Sequence, residues 1–342
     1  MRNCTSSGTV EQGPPLPANR NDGFLSGENV RPLVEMVDDR IRALFSGGQD
    51  PDILYEAARH LLLAGGKRIR SLLTLMSCQA VGGAPEEALP LAVALELVQT
   101  ASIIHDDIID GDTQRRGVEA THVRFGTKMA ILAGDLLVGL ALREIARLSK
   151  PLILRKLGEL GIAMCEGEIL DTDLTIDRIE HLNTTKYLDV IQRKTAAFVR
   201  GAALLGAIVG GGTEEHCEQL AKYGMCLGMA FQLRDDVLDL TAQSSELGKP
   251  VRSDLRNRRC TYPILYALQN LPSEERSTCI SELRAGNVRP LLVAIESTGA
   301  IQRTTELGQE YCEQAKREIT GIGLENETML CDLADFAVNR TF

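Results

Sequence analysis

LELVQTASIIHDDIID, residues 95–110, and MAFQLRDDVLDL, residues 229–240, are the two stretches from which the rest of this chain can be read. In both, apolar residues recur three and four positions apart, the spacing of one face of a helix. Both runs end in aspartates. Asp106 and Asp110 stand four apart with Asp107 beside them, and Asp235 and Asp239 repeat the arrangement with Asp236 adjacent. Each like-charged pair at that spacing costs an isolated helix roughly 0.2–0.5 kcal/mol. The first cluster also lies near a helix C-terminus, where the macrodipole disfavours negative charge. One such cluster alone reads as a solvated helix end; two, each behind an apolar run, call for positive charge nearby. Carboxylate oxygens suit a hard cation, and magnesium characteristically takes one or two carboxylates, several waters and phosphate oxygens. The twelve-residue calcium loop spacing is missing.

Outward from these motifs the helical periodicity continues almost without interruption, and no run alternates strictly enough for a strand. Helices are predicted over 29–46, 51–64, 68–82, 86–110, 124–147, 151–172, 177–209, 213–242, 260–270, 273–283, 287–298, 301–320 and 324–338. Breaks fall at Gly65–Gly66, Gly82–Gly83 with Pro85, Pro151, Gly210–Gly212, and Gly248 with Pro250. The fold class is all-α. With no Ser/Pro-rich linker and no 20–50-residue repeat, residues 29–342 read as one helical domain behind a disordered leader, 1–28, rich in Pro, Gly, Ser and Asn.

The 342 residues carry a net charge of −10, which argues against a nucleic-acid partner. Nine scattered cysteines, with no C-x-x-C pair, read as reduced thiols of a cytoplasmic protein. The leader lacks a signal-peptide core. The longest apolar stretch, Ala196 to Gly212, is broken by Arg200 and dense in Gly and Ala, so it reads as a closely packed core helix, not a transmembrane span.

An acidic protein that handles anions must concentrate its cations locally, and they gather around the two motifs. HLLLAGGKRIRSLL, 60–73, sets Lys67 and Arg70 after a Gly-Gly turn at the start of a helix, where free N–H groups favour phosphate. Arg115 and Arg116 follow the first motif, Lys249 follows the second, and Lys194 precedes Thr195 within a long helix. Any one of these alone reads as a surface cation. Their joint placement does not.

The order GGKRIR, Gln99, HDDIIDGDTQRRG, Lys194–Thr195, FQLRDDVLDL and the GKP loop, in register over about residues 30–270, resembles the trans-prenyl diphosphate synthase family. The resemblance implies a helical bundle around a deep central cavity, a homodimer, and three magnesium ions. It implies substrates too: isopentenyl diphosphate and an allylic diphosphate, joined by ionisation, condensation and elimination. By the same resemblance Asp106, Asp107, Asp110, Asp235 and Asp239 hold the metal, with Asp236 behind them. Arg115, Lys194 and Lys249 contact the allylic diphosphate, and Lys67, Arg70, Gln99 and Arg116 the isopentenyl diphosphate. Thr195 and Gln232 offer oxygens to the developing cation. The loop after the second motif departs from the family, with Arg252 and Arg258 in place of glycines and Arg259 in place of a lysine.

Two other readings share parts of this pattern. A class I terpene cyclase has the same helices and a first DDxxD, but needs aromatic walls for migrating cations; this chain has no Trp and 4% aromatic residues. A non-catalytic subunit of a heteromeric synthase would lack part of the aspartate or cation set. Product length is expected to follow the residue five before Asp106, where a bulky aromatic blocks the chain in this family. Here it is Ala101, followed by Ser102, which points to geranylgeranyl diphosphate or a longer product. Replacing Ala101 with Phe is therefore expected to shorten the longest product by at least one five-carbon unit, read by chromatography of the prenyl chains; an unchanged ladder would remove Ala101 from the determinants.

Overall fold

The computed structural model describes residues 23–241 and 253–341, so most of the leader, Lys249 and Arg252 lie outside the described residues. Helices α1 (Arg31–Leu44), α2 (Asp52–Leu63), α3 (Ile69–Ala80) and α4 (Pro85–Asp110) come first. A two-stranded hairpin follows, β1 (Gln114–Arg115) and β2 (Val118–Glu119), then α5 (Thr121–Phe125), α6 (Thr127–Ala146) and α7 (Pro151–Asp171). Beyond a 3₁₀ turn at Ile176–His181 lie α8 (Thr184–Ile191), a π-helical turn at Gln192–Ala196, α9 (Ala197–Val209) and α10 (Glu214–Thr241). The C-terminal part is α11 (Ser253–Arg256), α12 (Tyr262–Gln269), α13 (Ser273–Arg284), α14 (Arg289–Ser297), α15 (Ala300–Ile319) and α16 (Glu327–Asn339).

The all-α expectation holds, and three local readings change. The helix predicted over 177–209 is cut: Asn183 caps α8 by accepting from the Lys186 N–H at 2.7 Å, and the π turn then separates α8 from α9. The segment predicted to start at 124 is split at Gly126, whose φ of +83° ends α5 before α6 begins. The hairpin was not predicted; its two-residue loop is Arg116–Gly117, with φ of +53° and +75°, the conformation of a tight turn between strands. It is too short for alternation to register in the sequence.

α4 and α10 form the axis of the fold. α4 packs against α3 and α6, and α10 against α9 and α15. α4 is the one helix among the described residues long and apolar enough to cross a membrane, but 61% of its apolar window is buried inside the protein. A large apolar core gathers residues from α1–α4, α6, α9 and α10, including Leu61, Leu72, Leu95, Phe198 and Tyr223. A second lies among α8 and α12–α15, and Met229 and Leu233 carry α10 into it. The central helices approach closely: a Cβ at Gly206 of α9 would lie 2.3 Å from the Thr74 carbonyl oxygen of α3, and one at Gly228 of α10 2.5 Å from the Ala196 Cα.

These contacts set opposite signs for the same substitution at two sites. In a helix Gly→Ala gains about 1 kcal/mol. At Gly308 of α15, where the nearest atoms to an added Cβ are 3.8 Å away, that gain is expected; at Gly206 the collision with main chain is expected to reverse it into a loss of about 1–3 kcal/mol. Urea denaturation of the two variants checks both signs, and a stabilised Gly206→Ala protein would contradict the packing described.

Candidate active site

α4 and α10 bring their C-terminal ends to one polar cavity of about 390 Å³. Asp106 and Asp110 line it from α4, Asp235, Asp236 and Gln232 from α10, and Lys194 and Thr195 from the π turn. Lys67, Arg115, Arg116 and Arg259 complete the set of sequence-predicted residues on its wall. Asp107 and Asp239 stand behind it. Asp107 is fully buried and accepts from Arg115 Nε at 2.8 Å, and Asp239, 2% exposed, accepts from the Asp254 N–H at 3.2 Å.

The loops that carry the cations are shaped for it. Gly65 and Gly66, with φ of +108° and +155°, turn the chain ahead of Lys67. Arg68 then anchors the loop from within the core: its guanidinium donates to Asp38 at 2.9 Å, Glu96 at 3.1 Å and the Leu62 carbonyl at 2.8 Å. Arg116 occupies the left-handed turn position of the hairpin and donates to the Leu61 carbonyl at 2.7 Å. Burial, together with neighbouring Arg68, lowers the Arg116 pKa to about 10. Arg258 also has a left-handed φ of +56°, a conformation glycine adopts without strain, and its side chain pairs with Asp177 at 2.8 Å, away from the cavity wall.

Several partners of the lining groups were not legible in the sequence. Glu168 and Asp171, three apart on one face of α7, hold Lys194 at 2.6 and 2.7 Å. Arg259 joins Asp171 at 2.8 Å to Asp110 at 2.7 Å, linking α7 to α4 through the segment after the second motif. Arg340 reaches back from the C-terminus to Asp235 at 2.7 Å and lies 3.9 Å over the Phe231 ring. Tyr187 donates to Asp236 at 2.5 Å. Only the Glu168–Asp171 spacing gave a local signal; the other contacts join residues distant in sequence.

Burial and charge leave the site under electrostatic load. Burial first, then the neighbouring Glu168 carboxylate, push the Asp106 pKa up to about 7. Burial pushes Asp236 well above the carboxylate range, against the opposing hydrogen bond from Tyr187. Burial works against the Lys194 ammonium, but Asp171 and Glu168 outweigh it and leave its pKa raised. Two buried carboxylate oxygens, Asp107 Oδ2 and Glu168 Oε1, have no hydrogen-bond partner. Oxygen donors converging from two helices, with an acid held near pH 7 and orphaned oxygens at its side, fit a hard divalent cation bridging to phosphate.

At Asp106, Lys194 and Thr195 the polar cavity adjoins a second, apolar one of about 530 Å³ between α4, α6 and α7. Ala101, Ser102, Gln99 and Arg70 lie on this second wall. Arg70, 5.4 Å over the Phe198 ring, has an unpartnered Nε, and burial lowers its pKa. His105 packs against Gly134 of α6, with Nε2 3.3 Å from the Ile131 carbonyl oxygen.

Residues 51–289 match the model of the family described as polyprenyl synthetase. A short chain isoprenyl diphosphate synthase of Methanothermobacter thermautotrophicus is 37% identical over 321 residues, 91% of this chain and 97% of that protein. The crystal structure of a polyprenyl synthase from Caulobacter crescentus, complexed with calcium and isoprenyl diphosphate, is 31% identical, with a TM-score of 0.81 over 92% of this chain and 95% of its own. A decaprenyl diphosphate synthase from Rhodobacter capsulatus is 30% identical, with a TM-score of 0.82 over 93% and 98% of the two chains. With paired aspartate clusters facing one cation-lined cavity, and relatives matched over nearly their whole length, this chain belongs to the polyprenyl synthetase family and is a prenyltransferase of the trans-prenyl diphosphate synthase type.

Proposed function

We propose that the chain condenses isopentenyl diphosphate with an allylic diphosphate, using magnesium, to give geranylgeranyl diphosphate or a longer product. The observation that carries this reading is the junction of the two cavities: charged groups crowd one side of Asp106, Lys194 and Thr195, and apolar groups the other. A molecule with a polyanionic head and a hydrocarbon tail matches both.

Asp106, Asp110 and Asp235 face the cavity and are the residues to hold magnesium, three ions in all by the family resemblance. Asp236 also lines the cavity, held by Tyr187 and Gln232, and Asp107 and Asp239 supply negative charge from behind the wall. When bound, magnesium supplies Lewis-acid neutralisation of the charge that builds on a departing diphosphate. Lys194 and Arg115 orient that diphosphate, with Lys249 from the loop outside the described residues; Arg259, tied to Asp110 and Asp171, steadies the metal-side wall. By the family resemblance Lys67, Arg70, Gln99 and Arg116 bind the second diphosphate; the anchored Gly-Gly loop and the hairpin turn carry Lys67 and Arg116 at the polar wall, while Arg70 and Gln99 line the second cavity. Thr195 Oγ1 donates to Gln232 Oε1 at 3.2 Å, so the pair presents oxygen lone pairs where an allylic cation would form. Released diphosphate takes the proton in the elimination step, and no side-chain base is required.

We further read the protein as a cytoplasmic homodimer. Ile131, Leu132, Val138 and Leu142 of α6 and Leu154, Ile162 and Ile169 of α7 are each 40–68% exposed, a concentration of apolar surface suited to a second copy. The eight cysteines of the described residues are all free, as in a reducing compartment. Purified chain supplied with isopentenyl diphosphate, farnesyl diphosphate and magnesium is expected to extend the allylic chain, and chelation to stop it. Absence of product would favour a non-catalytic subunit.

Asp106 separates stability from activity. Its pKa in the fold lies above the ordinary 3.8, so the protonated form contributes stability that is complete at pH below 3.8 and lost as the pH rises through about 7. Asp106→Asn mimics the protonated form. Without metal at pH 8 it is expected to be more stable than wild type by roughly 1–4 kcal/mol, the gap narrowing as pH falls towards 4. With magnesium its turnover is expected to fall by roughly 10²-fold or more. Thermal denaturation across pH, beside the condensation assay, checks both; an Asn variant less stable at pH 8 would contradict the electrostatic load assigned to Asp106.

A further inference from the structure

The second cavity is lined at helical spacing on its two long walls: Val98, Ala101, Ser102 and His105 from α4, and Gly158, Gly161, Met164, Cys165 and Glu168 from α7. Two of these are glycines in the interior of a helix, where glycine is poorly suited. Some interior glycines have a packing reason, although Gly139 of α6, which does not line this cavity, has none. A Cβ at Gly167 would lie 2.6 Å from the Lys194 Cα, and one at Gly201 2.3 Å from the Leu160 side chain. Gly158 and Gly161 have none, since an added Cβ would meet nothing within 4 Å at either site. Both line the second cavity, Gly158 at an exposed position and Gly161 at a half-buried one.

Resting on the reading of this cavity as the path of the growing chain, we propose that Gly158 and Gly161 set product length by keeping that path open at two successive depths. Glu168, beside Asp106 at the polar end, gives the origin of the scale. At about 1.5 Å per residue Gly161 lies roughly 10 Å below it along α7, and Gly158 roughly 15 Å. Ala101 lies about 7.5 Å below Asp106 along α4 by the same rise, the shallowest of the three. An extended five-carbon unit spans four carbon–carbon links of ordinary length, about 5 Å. The two glycines are therefore about one prenyl unit apart. Exposed Val138 and Leu142 of α6 also line this cavity, so a long chain filling it would meet the apolar face that a second copy would cover.

The test is the product ladder of Gly161→Leu and Gly158→Leu beside wild type and Ala101→Phe, read by chromatography from labelled isopentenyl diphosphate, with size-exclusion chromatography of each protein. The expected order of maximum length is Ala101→Phe, then Gly161→Leu, then Gly158→Leu about one five-carbon unit longer, then wild type. Addition of the first unit is expected to persist in all four. Gly161→Ala and Gly158→Ala, which a helix accepts readily, are expected to shift the ladder the same way by less, and they decide the matter if a leucine variant does not fold. An unchanged ladder in folded variants, a reversed order, or a changed oligomeric mass with unchanged lengths would overturn the proposal. A wild-type chain that makes no product would overturn the synthase reading instead.

Discussion

Crowded negative charge in a partly buried cavity is the constraint on which the other features depend. Among the described residues, seven aspartates (106, 110, 112, 171, 235, 236 and 254) and six cations (Lys67, Arg115, Arg116, Lys194, Arg259 and Arg340) line the polar cavity. Removed from water, neither set is stable alone. The ion pairs between them therefore do two tasks. They neutralise the apo cavity, and they fix the directions from which three separate segments approach it. Arg259 illustrates both, because its bonds to Asp110 and Asp171 hold the ends of α4 and α7 together while keeping a guanidinium at the wall. Asp106 is the exception: burial first, then the Glu168 carboxylate, push it towards protonation, and Lys194, which opposes that push, gives its closest bonds to Glu168 and Asp171. A divalent cation corrects that imbalance, so the stable metal-free fold is already biased towards accepting one.

What the sequence made legible follows from how local the cause is. The aspartate clusters of α4 and α10 were readable because a helix places residues four apart on one face wherever it occurs. Lys67, Arg115 and Arg116 were readable because tight turns of Gly and Arg adjoin them. Arg340 gave no signal: its role comes from a chain end folding back over α10, where Phe231 stacks beneath the guanidinium and Asp235 accepts from it. Tyr187 and Asp236, 49 residues apart, are likewise joined only by packing. The long helix read over 177–209 failed for a related reason. Its apolar periodicity is real, but the Asn183 cap and the π turn break the main chain without breaking the hydrophobic pattern.

That π turn shows how a local irregularity serves the site. The turn carries both Lys194 and Thr195, which line both cavities, and a turn of this kind forfeits the regular hydrogen-bond pattern of the helix. Gly167 is the matching concession on α7, since any Cβ there would strike the Lys194 main chain. With that glycine in place α7 closes on the turn, and Glu168, the next residue, reaches Lys194 Nζ at 2.6 Å. The ammonium that faces the head of the substrate is thus positioned by the same helix whose next two turns leave room for the tail. Under the proposed function head binding and chain length are set by one element, so a substitution that moves α7 against the π turn is expected to alter both, whereas one that only fills the space beside Gly158 or Gly161 is expected to alter length alone.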